Sequence, residues 1–190
     1  MQTSELLIRQ VSGPIYNTNA INSTIGIILD AEFTIRPMIS SDANGIKEII
    51  DLSFSPFMGF FALHSIREEG QVFVSKTQGG VAVGFVKLID VHVGGGKFGC
   101  VLWVAVHPQF RRRGIATALV NAGVGCLKRA GAGAVFASVQ RRNIASLMVF
   151  EGQGFRRLSF LGLWRLFGWR TFEFYRDIWV APGEVVLMHD

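Results

Sequence analysis

The sequence predicts a mixed α/β layer domain in which antiparallel strands lead into a β-α-β unit. Two observations carry this reading. Apolar residues alternate with polar ones at 72–74, fill a longer strand over 81–91, and run almost unbroken through 98–106, as befits half-buried strands beside a central buried one. Apolar residues at helical spacing bracket those strands: Ile46, Ile49, Ile50 and Phe54 before them, and Ile115, Leu119, Val120, Val124 and Leu127 after.

The elements follow in order. Residues 1–32 form a weakly patterned extension with a polar loop over 16–22 and a strand over 25–29. A short strand over 33–37 stops at Pro37, which cannot donate to a ladder. Ser41-Asp42 offers an N-cap to the first helix. The second, 56–69, opens on Pro56, a residue tolerated in a first turn, and closes on Gly70. Turns at Gln78-Gly79-Gly80 and Gly94-Gly95-Gly96 separate the three central strands. The helix through Ile115 and Leu127 is stopped by Gly131 and Gly133, a buried strand spans 134–139, and a helix over 144–151 ends at Gly152 and Gly154. Strands are expected at 155–161 and 171–180. The domain is bounded at 33–180, leaving 181–190 as a tail.

At 190 residues, with 22 Gly, 5 Pro and no repeat, the chain suits one domain and no collagen-like or low-complexity segment. Cys100 and Cys126 are too few for a disulfide framework or a zinc cage, and no metal site is expected. No uninterrupted apolar stretch approaches the roughly 18 residues that span a bilayer. Glu5, Arg9 and Gln10 break the start where a secretory leader would be apolar, so a cytoplasmic protein without stable membrane insertion is expected. Lys and Arg number 19 against 14 Asp and Glu, a net charge of +5, which favours an anionic partner.

The sharpest motif is the strand 98–106, then His107-Pro108, then Arg111-Arg112-Arg113-Gly114-Ile115-Ala116 opening a helix. A helix N-terminus presents unpaired N–H groups and partial positive charge, and so holds phosphate well. Gly114 and Ala116 leave the backbone accessible, while three arginines add charge-assisted donors. Lys128-Arg129, Arg141-Arg142 and Arg156-Arg157 lie in the same half of the chain and suit a ligand with several phosphates. Basic residues interleaved with aromatics, as on a nucleic-acid surface, are missing, and no nucleic-acid partner is expected. Gly94-Gly95-Gly96-Lys97 lacks P-loop spacing, and Gly131-Ala132-Gly133 precedes a strand where a dinucleotide fingerprint would follow one.

These residues resemble the GNAT superfamily of N-acetyltransferases. The run from Arg111 to Ala116 is similar to its [Q/R]-x-x-G-x-[G/A] acyl-CoA motif, and Asn143, Ser146, Phe150 and Gly154-Phe155 are similar to its second motif. The resemblance implies a mostly antiparallel sheet of six to seven strands, helices on both faces, and a splay between the two central strands that receives acetyl-CoA. It implies that the Val104 N–H meets the thioester carbonyl as an oxyanion donor and that Val106 pairs with the pantetheine amide. Arg111, Arg112, Arg113, Gly114, Ile115, Ala116 and Thr117 would hold the pyrophosphate, with Asn143, Ser146 and Phe150 along the pantetheine arm. The implied reaction is acetyl transfer to a primary amine by direct attack in a ternary complex. The acceptor would be a protein N-terminus or lysine, since the second-motif region looks somewhat like ribosomal-protein Nα-acetyltransferases, or else a small-molecule amine. A protein that binds acyl-CoA but catalyses weakly is the rival reading.

That rival rests on two departures from the family pattern. Phe150 stands where many members have a proton-donating Tyr, and Cys100 where some have a strand Glu. Tyr175, foremost, then Asp177, Glu173, His64 and Asp90 are the candidates for acid and base. His107 reads as structural, and His92 and His189 as loop and tail residues. Phe54, Phe57, Phe60 and Phe61 either pack the core or line an acceptor pocket. Trp164, Phe167 and Trp169 either cover a substrate or form a homodimer face.

Overall fold

The computed structural model describes residues 27–29 and 32–190. The loop expected over 16–22 lies outside the described residues, as do the first two residues of the strand expected over 25–29.

In chain order the elements are β1 (Ile27–Leu29), β2 (Phe33–Pro37), α1 (Ala43–Ser53), α2 (Pro56–Arg67), β3 (Gln71–Thr77), β4 (Ala82–Val93) and β5 (Gly96–Val106). Then come α3 (Ile115–Arg129), β6 (Val135–Gln140), α4 (Ile144–Gly152), β7 (Arg156–Leu158), α5 (Phe160–Phe167), α6 (Thr171–Asp177) and β8 (Glu184–His189). The eight described strands form one sheet in the order β1-β2-β3-β4-β5-β6-β8-β7. Every neighbouring pair is antiparallel except β5–β6.

Strand alternation assigns the two faces. Val135, Ala137 and Leu187 pack with Leu119, Val120 and Leu127 of α3 and with Leu147 and Phe150 of α4. Phe136, Val186 and Met188 face the other way, onto Leu163 of α5 and Phe174 of α6. Val74, Phe85 and Ala105 meet Ile46, Ile49 and Ile50 of α1 and Ala62 of α2. Helix α3 lies close to the sheet because glycine stands at the contact. A Cβ on Gly99 would sit 2.7 Å from Leu127 Cδ1, and one on Gly123 2.8 Å from Leu88 Cδ2.

One irregularity shapes the centre. The β4–β5 register shifts so that Lys87 faces Trp103 while Leu88 faces Val101, leaving Leu102 as an extra residue. This bulge resets the alternation. Val101 packs towards α3, whereas Trp103 and Ala105 beyond it pack towards α1 and α2.

The last quarter of the chain corrects the sequence reading. Only three residues of the strand expected over 155–161 are extended, and the remainder opens α5, capped by Ser159 Oγ accepting from the Gly162 N–H at 3.1 Å. Residues 171–177 of the strand expected over 171–180 form α6 instead. Thr171, Phe174 and Ile178 are the buried residues there, spaced three and four apart, and this helical stripe overrides the aromatic content that suggested a strand. Residues 181–190, read as a tail, contain β8, which lies between β6 and β7 with Val186, Leu187 and Met188 buried. At the other end, β1 pairs with β2, so part of the 1–32 extension belongs to the sheet.

Candidate active site

Strands β5 and β6 are hydrogen-bonded over only three residue pairs, Gly99–Val135, Cys100–Phe136 and Val101–Ala137. Beyond these, β5 stays with β4 as far as Val106–Gly84, and β6 stays with β8 as far as Gln140–Glu184. The sheet therefore opens as a V between residues 102–106 and 138–140. The His107 N–H donates to Val83 O on the β4 side at 2.9 Å. Strand alternation then aims the Val104 and Val106 N–H groups into the gap. Without the bulge at Leu102 the opposite amides would face it.

One mouth of the gap is cationic. Helix α3 starts after Gly114, whose φ of +75° lies in the left-handed region, and no side chain caps it. The first helical bond is from the Ala118 N–H to Gly114 O, so the N–H groups of Ile115, Ala116 and Thr117 have no partner within the helix. These residues, with Arg111, Arg112 and Gly114, line a cavity of 540 Å³ that continues past Val104 and Val106 to Asn143, Ser146 and Phe150. The Arg111 Nε–H donates to Val106 O at 3.1 Å, bracing the loop against the strand end. Arg112, at φ +65°, makes no hydrogen bond or ion pair with a described residue and is free for a ligand. Asn143 Oδ1 accepts from the Ser146 N–H at 3.1 Å, capping α4 and leaving its NH₂ unpaired among the described residues.

Arg113 departs from expectation. It pairs with Glu32 at 3.1 Å, lies over the Phe110 ring, and does not line the cavity. Of the other basic pairs, Arg156 holds Asp190, Arg157 holds Glu151, and Lys128 donates to Gly133 O, whereas the Arg141 and Arg142 side chains make no hydrogen bond or ion pair with a described residue.

At the other mouth lies a second cavity, of 370 Å³, sharing Phe54, Val104, Asn143, Ser146 and Phe150 with the first. Its walls are Phe57, Met58 and Phe61 of α2, Trp103 of β5, and Ile178 and Trp179 beyond α6. Phe54 and Phe61 stand edge-on to Trp103 and Trp179, at centroid distances of 5.4 and 5.5 Å. Trp179 has φ +56°. It and Arg112 are the non-glycine residues with left-handed backbone among those described, one at each mouth.

Glu184 is the charged residue in this second lining. Its carboxylate accepts from Ser138 Oγ–H at 2.6 Å, the Ala181 N–H at 2.9 Å and the Gln140 NH₂ at 3.3 Å. Nothing in the sequence reading pointed to it, because 181–190 was set outside the domain. The signal available was the turn at Gly183 followed by the apolar run 185–188. Burial, with the Glu184 charge adding to it, pushes the Cys100 thiol up to about 12, so Cys100 is no base. Phe150 is buried edge-on against Phe155 at 5.0 Å and contributes only an apolar wall.

The expected acid–base residues lie elsewhere. Tyr175 packs against Phe160 and the core beneath α5 and α6, outside both cavities, and burial raises its pKa. Asp177 pairs with Arg176, Asp90 with Lys97, and His64 with Glu68, while Glu173 lines neither cavity. His107 Nδ1 accepts from the Gln109 N–H at 3.3 Å, a local turn contact. Of the phenylalanines near α2, Phe54, Phe57 and Phe61 line the second cavity, Phe57 at its open rim and largely exposed, while Phe60 is exposed and lines neither cavity. Trp164 and Trp169 meet edge-to-face, ring centroids 4.9 Å apart, and line neither cavity. Among the described residues no helix is long and apolar enough to cross a membrane.

Residues 43–155 match the acetyltransferase (GNAT) family. No curated protein matches the chain by sequence. Among solved structures, the NatC complex bound to Gag peptide and CoA contains a chain similar at TM-score 0.59 and 20% identity, over 83% of this chain and 97% of that one. The ribosomal-protein-S18-alanine N-acetyltransferase from Escherichia coli is similar at TM-score 0.58 and 16% identity, over 82% and 92%. The protein yncA from Salmonella typhimurium, solved with its cofactor acetyl-CoA, is similar at 0.55 and 18%, over 84% and 94%. At these identities the likeness is one of fold.

Proposed function

The chain belongs to the acetyltransferase (GNAT) family of acetyl-CoA-dependent enzymes, and from that premise we propose that it acetylates a primary amine bound in the cavity beside Glu184, by direct attack in a ternary complex. The observation that carries this is the continuous opening through the splayed strands, with free amides and Arg112 at one mouth and a carboxylate at the other.

The residues fit acetyl-CoA. The unpaired N–H groups at Ile115, Ala116 and Thr117 and the free guanidinium of Arg112 suit a pyrophosphate. The outward amides of Val104 and Val106 and the NH₂ of Asn143 suit the amide-bearing arm. When bound, acetyl-CoA supplies the activated acetyl group. The Val104 N–H, fixed on a strand, would hold the carbonyl oxygen and stabilise negative charge there without reorganising. Glu184 takes the proton that the amine nitrogen sheds as its lone pair becomes available. Phe150 is apolar and donates no proton, so solvent or the departing amine proton must supply the thiolate.

Calorimetric titration with acetyl-CoA and free CoA tests the cofactor half. Binding at about micromolar Kd is expected, weakened about 100-fold in Arg112→Glu by charge reversal at the anion. Absence of binding to both ligands overturns the reading.

A further inference from the structure

The geometry points to a small primary amine with an apolar, flat body as the acceptor, its ammonium held by Glu184 and its body between α2 and the segment after α6. This rests on the acetyltransferase reading above. No Lys, Arg or His is present in the second lining, and Glu184 is the charged group there. A carboxylate has roughly four lone-pair sites, and the protein's own donors occupy three at Glu184. The weakest of these, from Gln140 at 3.3 Å, falls on Oε1. That oxygen has room for a further donor, and an ammonium supplies one with charge.

The rest of the lining selects the body. Phe54, Phe57, Phe61, Trp103 and Trp179 present ring faces and edges, with Met58 and Ile178 between them. Rings favour flat apolar groups and also attract a cation near their faces. A polyamine would place further charges against these walls without a second carboxylate to meet them. A peptide N-terminus would bring several main-chain N–H and C=O groups that need partners. Yet Ser138 and Gln140 are already bound to Glu184, Asn143 and Ser146 are shared with the cofactor cavity, and the buried Trp103 Nε1–H, unpaired among the described residues, adds a single donor against several such groups. At 370 Å³ the cavity must also admit the acetyl group, which leaves space for a compact amine. The Gag peptide bound by NatC and the ribosomal-protein-S18 alanine named for the Escherichia coli enzyme belong to those proteins.

The experiment measures CoA release from acetyl-CoA with 2-phenylethylamine, isoamylamine, spermidine and a peptide with an N-terminal Met-Leu, on the full chain. The expected kcat/KM for 2-phenylethylamine exceeds those for spermidine and the peptide by about 100-fold, the scale at which unpaired polar groups discriminate. Glu184→Gln lowers kcat/KM for 2-phenylethylamine by about 100-fold, the loss of a charge-paired contact, with acetyl-CoA affinity unchanged by calorimetry. Phe57→Ala raises KM for 2-phenylethylamine more than for methylamine. Preference for spermidine or the peptide overturns the inference and leaves the acetyltransferase reading standing. So does turnover of none of these amines by a protein that binds acetyl-CoA. Failure to bind acetyl-CoA at all overturns the reading beneath it.

Discussion

Lys87 is a fully buried lysine on β4, and its Nζ donates to Glu68 O and Glu69 O at 2.9 Å each, just past the end of α2. There it fastens the helix whose first turns wall the second cavity. Burial pushes its pKa down to about 8, with the Glu68 charge partly opposing. The unfolded chain therefore binds more protons than the folded one from about pH 8 to about pH 10, and stability rises with pH across that window. Urea midpoints at about pH 7.5 and 9.5 should increase in the native protein and stay level in Lys87→Met. Asp42 gives the same sign at the acid end for the opposite reason, because there the fold favours the charged form. Burial alone would raise its pKa, but hydrogen bonds from Arg36, the Ile39 N–H and Lys76 hold it well below the usual carboxylate range. Its contribution is complete above about pH 4 and is lost as the pH falls below that. Asp42→Ala should cost about 3 kcal/mol at neutral pH, since it leaves Arg36 and Lys76 without their counter-charge. The sequence marked Asp42 as a helix cap, and it does precede α1, but its side chain is spent on cations from β2 and β3. Local pattern shows who is near in sequence and not which distant lysine will arrive.

Among elements, the contrast between β5 and β8 explains which parts were legible. The run 98–106 announced a central strand because it is long, apolar and followed by a glycine-marked helix start. Arg111, Arg112, Gly114, Ile115, Ala116 and Thr117, which that start supplies, line one cavity together. The Leu102 bulge left no such mark, since it arises from pairing with β4. Strand β8 was illegible for another reason. It is six residues long, and its neighbours β6 and β7 are reached only through the fold. Because β8 fills the place between them, a chain ending at residue 181 should give no cooperative thermal transition, a result that circular dichroism reads directly. The close packing of α3 makes a milder prediction. Gly99→Val places methyl groups where Leu127 already sits, and it should destabilise by about 1–3 kcal/mol in urea titration while the protein still folds.

At the scale of the whole molecule, the sheet is continuous through β4–β5 and β6–β8 but joined at its middle by three residue pairs. A ligand lying in the V would therefore complete a sheet that the chain leaves unfinished. It would also link the α3 end, where Arg112 lies, to the α6 end, where Trp179 lines the second cavity. The strand alternation that aims Val104 and Val106 into the gap gives this idea a residue-by-residue signature. Trp103 and Ala105 point their N–H groups towards β4 and should exchange slowly with or without ligand. Val104 and Val106 should exchange faster in the free protein, and saturating CoA should slow them selectively, together with Ile115, Ala116 and Thr117. Binding at 100 times Kd also stabilises by about 2.7 kcal/mol, so protection at core amides should rise by about 100-fold where exchange needs global unfolding. Equal slowing of all four β5 amides, without the alternation, would mean that the ligand acts only through global stability and that the gap-facing register is wrong. Slowing at 104 and 106 beyond that shared increment would show the cofactor arm hydrogen-bonded along β5, in the register that the Leu102 bulge creates.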